Sequence, residues 1–194
     1  MSRPKNLQRI KEFDRVIARL FARKGYHSTS IREIARELGM TQSSLYYYYK
    51  SKEDMLFRLI NSAVDESLAT VEKICYSDLP PEEKLKQVLG FYTQYFAGDQ
   101  DREILLLNEI NSLSPEHRAI QIQKERHYVQ LFYGILHELT EQRKMKPINH
   151  TVATFAFFGM VHYTVKWYHT DGSIGLGDLA DMFVEIFTKG IFTR

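Results

Sequence analysis

The sequence specifies an all-α protein: an N-terminal three-helix bundle carrying a helix-turn-helix, then a larger helical body, about nine helices in all. Three observations carry that expectation. Apolar residues recur at helical spacing along nearly the whole chain, with prolines and glycines at segment ends. No alternating β-branched run is bounded by turn residues. Near the N-terminus, two short helical segments are separated by only a few residues, which is the layout of a helix-turn-helix. The chain has 194 residues, enough for a sizeable core in one domain, or in one domain plus a small module.

The elements follow in order. A first helix over about Asn6–Lys24 shows an apolar stripe of Ile10, Phe13, Ile17, Leu20 and Phe21, and Gly25 stops it. Lys11, Arg15, Arg19 and Arg23 recur every four residues on another of its faces, a like-charge row that either a phosphate backbone or solvent would relieve. Ser30 and Glu33 make a capping box for a short helix whose buried face is Ile31, Ile34, Ala35 and Leu38. Gly39 ends that helix, and Thr41 caps a second short one built on Leu45. A long helix runs from Lys52 to about Tyr76 and is closed by Leu79-Pro80-Pro81. Helices are expected over about Glu82–Ala97 and Asp101–Leu113. Ser114-Pro115 opens another, ending near Arg143, and Asn149 caps the next, to about Tyr168. A last amphipathic helix covers Asp178 to about Thr188. The expected division is a helix-turn-helix module over 1–51 and a larger helical body over 52–194.

A formal net charge of +2 hides an asymmetry. Residues 1–60 hold thirteen Lys/Arg against six acids, a formal +7, and the remainder carries −5. A basic end on an acidic body is the layout of a part that meets a polyanion and a part that does not.

The second short helix, Thr-Gln-Ser-Ser-Leu followed by four tyrosines, is unusual. Leu45 and Tyr49 share its inward face, which leaves Gln42, Ser43, Tyr46, Tyr47 and Tyr48 on or near the surface. Such side chains hydrogen-bond base edges and phosphates, and Gln can pair bidentately with adenine. The N-terminal end of a recognition helix enters the major groove, so Gln42, Ser43 and Ser44 are placed to read bases. Lys50 and Lys52 stand at its exit.

At these residues the chain resembles the TetR family of bacterial transcriptional regulators. The resemblance covers about residues 21–56. It lies in Gly25-Tyr26, the Thr/Ser-rich cap, Ile34-Ala35, Gly39-Met40, Leu45-Tyr46 with its aromatic run, and Ser51-Lys52-Glu53. Tyr49 stands where the family usually has Phe. The resemblance implies a homodimer on a palindromic operator in double-stranded DNA, with most members being repressors released by a small molecule. By matching positions it implies DNA contacts at Arg32, Thr41, Gln42, Ser43, Ser44, Tyr46, Tyr47, Tyr48 and Lys52.

In the body, residues 151–165 have one ionisable side chain, His162, so this helix is expected to be covered on most sides. Pairing of this helix and the last one with their symmetry mates would bury Phe155, Gly159, Tyr163, Leu179, Phe183 and Phe187 in a C2 interface. Tyr92, Phe96, Tyr128, Phe132 and Phe158 lie on the central helices and are candidates to line an apolar effector pocket, with Asn108, Glu109 and His162 as polar groups. The stretch with Trp167-Tyr168, Gly172 and Leu179-Ala180-Asp181 resembles the end of TetR-type regulators of fatty-acid and steroid degradation. That implies an acyl-CoA effector, for whose phosphates Lys166, Arg126 and Arg102 are candidate cations. An aromatic-acid or drug effector, or a ligand-free architectural DNA-binding protein, are the alternatives.

Other chemistry finds little footing. The histidines lack metal-ligand spacing with an acid, and one Cys excludes a disulfide scaffold. Gly172 to Gly177 follows a helix rather than a strand and so fails as a phosphate loop. No cofactor, no metal and no enzymatic activity are expected. No apolar stretch reaches membrane-span length and the N-terminus lacks a signal-peptide core, so a cytoplasmic protein is expected.

Overall fold

The structure, a computed structural model, describes residues 3–193; for residues 3–7 the backbone alone is described. Nine α-helices are found among the described residues: α1 (Arg3–Lys24), α2 (Ile31–Glu37), α3 (Gln42–Tyr46), α4 (Lys52–Cys75), α5 (Pro81–Gly98), α6 (Gln100–Asn108), α7 (Pro115–Glu141), α8 (His150–His162) and α9 (Leu176–Ile191). Short 3-10 turns follow α6 (Ile110–Ser112) and α8 (Tyr163–Lys166). One isolated antiparallel bridge, Met145 to Phe192, is the only extended pairing among the described residues.

Local chemistry sets the boundaries. Ser30 accepts from the Glu33 amide while the Glu33 carboxylate accepts from the Ser30 amide, closing the capping box at α2. Thr41 accepts from the Ser44 amide at 3.1 Å and so starts α3. Between them the chain turns at Gly39, φ +63°, a conformation in which a side chain would strain the backbone. Asn149 caps α8 through the Thr151 and Val152 amides. Two helices end earlier than expected: α6 stops at Asn108, and α8 stops at His162 rather than near Tyr168. The Thr164 hydroxyl, fully buried, donates to the Val161 carbonyl as the chain tightens into the 3-10 turn.

Packing divides the chain into two compact units, each contributed by two segments. The first comprises residues up to 63 together with 101–121; the second comprises 64–100 with residues from 122 onward. These segments differ from a simple division at 51/52, because α4 and α7 each supply residues to both units. In the first unit Ile17, Ile34, Leu45, Met55, Leu56 and Ile60 form a closed core, joined by Leu105 and Leu113. In the second, α5 packs most extensively against α9 and then α8. Gly98 permits the closest approach: a Cβ there would stand 2.9 Å from Leu176 Cδ2.

Candidate nucleic-acid interface and effector core

The first unit presents α3. Leu45 is fully buried and Tyr49 is 1% exposed, so these two side chains anchor the segment from beneath. The Tyr49 hydroxyl donates to Asp14 at 2.8 Å, and Arg58 stands 3.4 Å from the same carboxylate. Burial raises the Asp14 pKa against the opposing pull of Tyr49 and Arg58. Above this base Thr41, Gln42, Ser43, Ser44, Tyr46 and Tyr47 are exposed, as is Arg32 on α2. Tyr47 is 81% exposed, which is costly for an aromatic ring in water and gives it a surface to stack or donate. Thr41 and Ser44 bond to each other at 2.9 Å, so their hydroxyls are partly engaged in the cap itself. Tyr48 is half-buried, its ring edge-on to Phe13 at 5.3 Å and to Tyr47 at 5.2 Å.

Lys52 requires a correction. Its matched position implied a phosphate contact, but its ammonium turns inward and donates to the carbonyls of Tyr26 at 2.7 Å and Thr29 at 2.8 Å. It also lies 4.4 Å from the Tyr26 ring centroid. It thereby satisfies backbone acceptors in the turn between α1 and α2, and burial lowers its pKa. Its neighbour Glu53 accepts from the Ser114 amide at 2.9 Å and from His117 Nδ1 at 2.8 Å, while the His117 ring stacks flat on Phe57 at 3.7 Å. Sequence reasoning missed both anchors, since the partners lie 23 to 64 residues away along the chain.

The second unit gathers most of the expected effector residues. Tyr92, Phe96, Tyr128, Phe132 and Phe158 are all buried. Tyr92 is the hub: its ring lies 4.4 Å from Phe96, 5.0 Å from Phe158 and 5.3 Å from Tyr128. Its hydroxyl is 3.2 Å from His162 Nε2. Tyr128 and Ser67 share a buried hydrogen bond at 2.8 Å, and burial pushes the Tyr128 phenol up, so it stays neutral. Two polar pairs thus sit within an apolar ring cluster. Lys166 is exposed at the end of the turn after α8. Asn108 and Glu109 belong to the first unit, where Glu109 accepts from the Ser112 hydroxyl at 2.8 Å. The Cys75 thiol is pushed up to about 11 by burial, which makes it a poor nucleophile. No group of three metal-ligating side chains occurs among the described residues.

The expected interface splits in two. Phe155, Gly159 and Tyr163 are exposed; Val152, Phe155 and Gly159 fall on one face of α8, and Tyr163 follows at its C-terminal end. Leu179, Phe183 and Phe187 are buried within their own chain, correcting their assignment to a partner-facing stripe. The exposed apolar residues of α9 are instead Met182 and Ile186, on the neighbouring face. No helix among the described residues is long and apolar enough to cross a membrane.

Comparison with known proteins agrees with this geometry. Residues 15–59 match the family described as bacterial regulatory proteins, tetR family, and residues 78–191 match the tetracyclin repressor-like C-terminal domain. The fatty acid metabolism regulator protein of Bacillus subtilis (strain 168) is 27% identical over 194 residues, covering 99% of this chain and 98% of its own. The crystal structure of AibR in complex with isovaleryl coenzyme A and operator DNA is 28% identical with a TM-score of 0.80, covering 92% of this chain and 97% of AibR. The ketosteroid transcriptional regulator KstR2 of Mycobacterium tuberculosis superposes with a TM-score of 0.90 at 21% identity, covering 96% of each chain, and shares the fold. The helix-turn-helix, its exposed α3 and the matched C-terminal domain place this chain in the TetR family of DNA-binding transcriptional regulators, which are not enzymes.

Proposed function

We propose that this chain is a cytoplasmic homodimeric repressor that holds a palindromic operator through α3 and releases it when an acyl-CoA binds the ring cluster around Tyr92. The observation that carries the DNA reading is the contrast within one short segment: Leu45 and Tyr49 buried, with Gln42, Ser43, Ser44, Tyr46 and Tyr47 exposed in the basic part of the chain. Those five side chains, with Arg32, Thr41 and the half-buried Tyr48, are the proposed contacts. Homodimerisation is supported by the apolar faces that α8 and α9 leave uncovered, since isolated helices in water do not keep Phe155, Tyr163 and Ile186 exposed without cost.

The acyl-CoA reading is supported by the aromatic cluster and by the names of two relatives, the fatty acid regulator of Bacillus subtilis and AibR with its isovaleryl coenzyme A. Tyr92, Phe96, Tyr128, Phe132 and Phe158 would enclose the acyl chain, and the Tyr92–His162 pair would meet the thioester carbonyl. Lys166 supplies a cation for the CoA phosphates. Because α4 and α7 contribute to both units, a ligand that displaces them in the second unit also acts on the first. The test is a thermal-shift series with acyl-CoAs of several chain lengths, run beside fluorescence anisotropy on bound DNA. At ~100 times Kd an effector adds about 2.7 kcal/mol, which for a chain of this length raises Tm by about 5–11 °C and lowers the anisotropy. If no acyl-CoA shifts either signal, the effector assignment fails.

A further inference from the structure

A cleft of about 840 Å³ opens in the first unit between α1, the α2–α3 turn and α3. Its lining includes Arg9 from α1, Arg36 from α2, Thr41 from the turn, and Ser43, Tyr47 and Tyr48 from α3 and its exit. Neither arginine was selected by sequence pattern, which picked out the row Lys11, Arg15, Arg19 and Arg23 as one that either a phosphate backbone or solvent would relieve. With Ser44, the lining contains two guanidinium groups and five hydroxyls, and no carboxylate.

Arg9 is ordered from below. Its guanidinium lies 5.3 Å from the Phe13 ring centroid, and the Phe13 ring in turn meets Tyr48 edge-on at 5.3 Å. This arginine–phenylalanine–tyrosine series ties the α1 cation to the exit of α3. Arg36 is exposed and makes no ion pair among the described residues. Its charge is therefore unspent within the protein.

We propose that this cleft is a clamp for the phosphodiester backbone of duplex DNA, with Arg9 and Arg36 as its two cations. The inference rests on the DNA reading above and deepens it by naming residues that position the duplex rather than read it. A guanidinium presents a planar fork of donors that matches phosphate oxygens bidentately. Cations on two different helices, with hydroxyls between them in the lining, suit a continuous backbone better than one small anion. Ser43 and Tyr47 belong both to the cleft and to the exposed surface of α3, so a backbone held there runs beside the helix that faces the bases. Phosphate contacts of this kind fix register and orientation, while base contacts confer sequence preference.

Salt dependence distinguishes such contacts. Each phosphate contact releases about 0.9 counterion from B-DNA, so its loss lowers the slope of log K against log salt by about one. At ~0.1 M salt that corresponds to about eightfold in affinity per arginine. The experiment measures binding of a fluorescein-labelled mixed-sequence duplex by the full chain across a salt series. The proteins are wild type, Arg9→Gln, Arg36→Gln, the double variant and Arg36→Lys. Lys86→Gln removes the same charge from an exposed position of α5, in the second unit and outside the cleft, and serves as control. Each cleft variant should lose about one from the slope and about eightfold in affinity, and the double variant about two and ~60-fold. Arg36→Lys should recover the slope, and all variants should keep the wild-type unfolding temperature. Unchanged slopes in the two arginine-to-glutamine variants, or an equal loss in Lys86→Gln, overturn the clamp while leaving DNA binding intact. A wild-type chain that binds no duplex overturns the clamp together with the DNA reading.

Discussion

Replacing Lys52 by Met separates two roles for a residue that pattern alone assigns to DNA. In the structure its ammonium donates two hydrogen bonds, to Tyr26 and Thr29, and a third, longer contact reaches the His27 carbonyl at 3.4 Å. A hydrogen bond from a charged donor contributes about 1.5–3 kcal/mol, and a partly exposed cation–π contact about 0.5–1 kcal/mol. Methionine removes the ammonium from the Tyr26 ring and leaves two carbonyls without their donor. Lys52 is only half-buried, so water replaces part of the loss, and about 2 kcal/mol is expected. For a chain of this length that lowers Tm by about 4–8 °C. The assay is thermal unfolding followed by circular dichroism, with the lower transition taken if the two units melt separately. The DNA salt slope, measured alongside, should stay at the wild-type value. A slope reduced by about one at unchanged Tm would mean that Lys52 grips phosphate, and would refute the turn-anchor reasoning.

Two further outcomes follow from the same contacts. Phe155→Glu combined with Tyr163→Glu places charge on the uncovered α8 face without touching the buried α9 residues, so the chain should sediment near its 22.8 kDa monomer mass while remaining helical; a persistent dimer would move the interface elsewhere. Glu53 is held below its ordinary 4.5: burial opposes its ionisation, but the Ser114 amide and His117 outweigh that. A depressed carboxylate adds stability that is present above about 4.5 and lost as pH falls through the folded value. Urea unfolding should therefore show Glu53→Gln less stable than wild type at neutral pH, with the gap closing in acid; a gap independent of pH would remove the ionised contact from the account.

The legible parts of this protein are the local ones. Ser30 with Glu33, Gly39 and Thr41 act within four residues of themselves, so the two short helices could be read in advance. The α9 helix shows where periodicity stops. Leu179, Phe183 and Phe187 make one apolar row and Met182 with Ile186 another; spacing reveals both rows but not which faces inward, because that depends on α5 and α8. The end of α8 at His162 was hidden because apolar residues continue beyond it, and the turn is fixed by the buried Thr164 hydroxyl. Lys52 was mis-weighted because its direction is set by the Tyr26 and Thr29 carbonyls, more than twenty residues back along the chain. Asn108 and Glu109 similarly looked central on the chain yet pack with the first unit.

The claim on which the rest depends is that α3 of this chain reads DNA as one half of a symmetric pair. Selection of duplexes from a random-sequence pool by the full-length protein, followed by sequencing, tests it directly. The account predicts enrichment of an inverted repeat whose half-sites are centred one helical turn, about 34–36 Å, or a multiple of it apart. It also predicts that Gln42→Ala changes the enriched half-site while Arg36→Gln lowers binding without changing it. Recovery of no shared sequence, or of a single unrepeated site unaffected by Gln42→Ala, would contradict it.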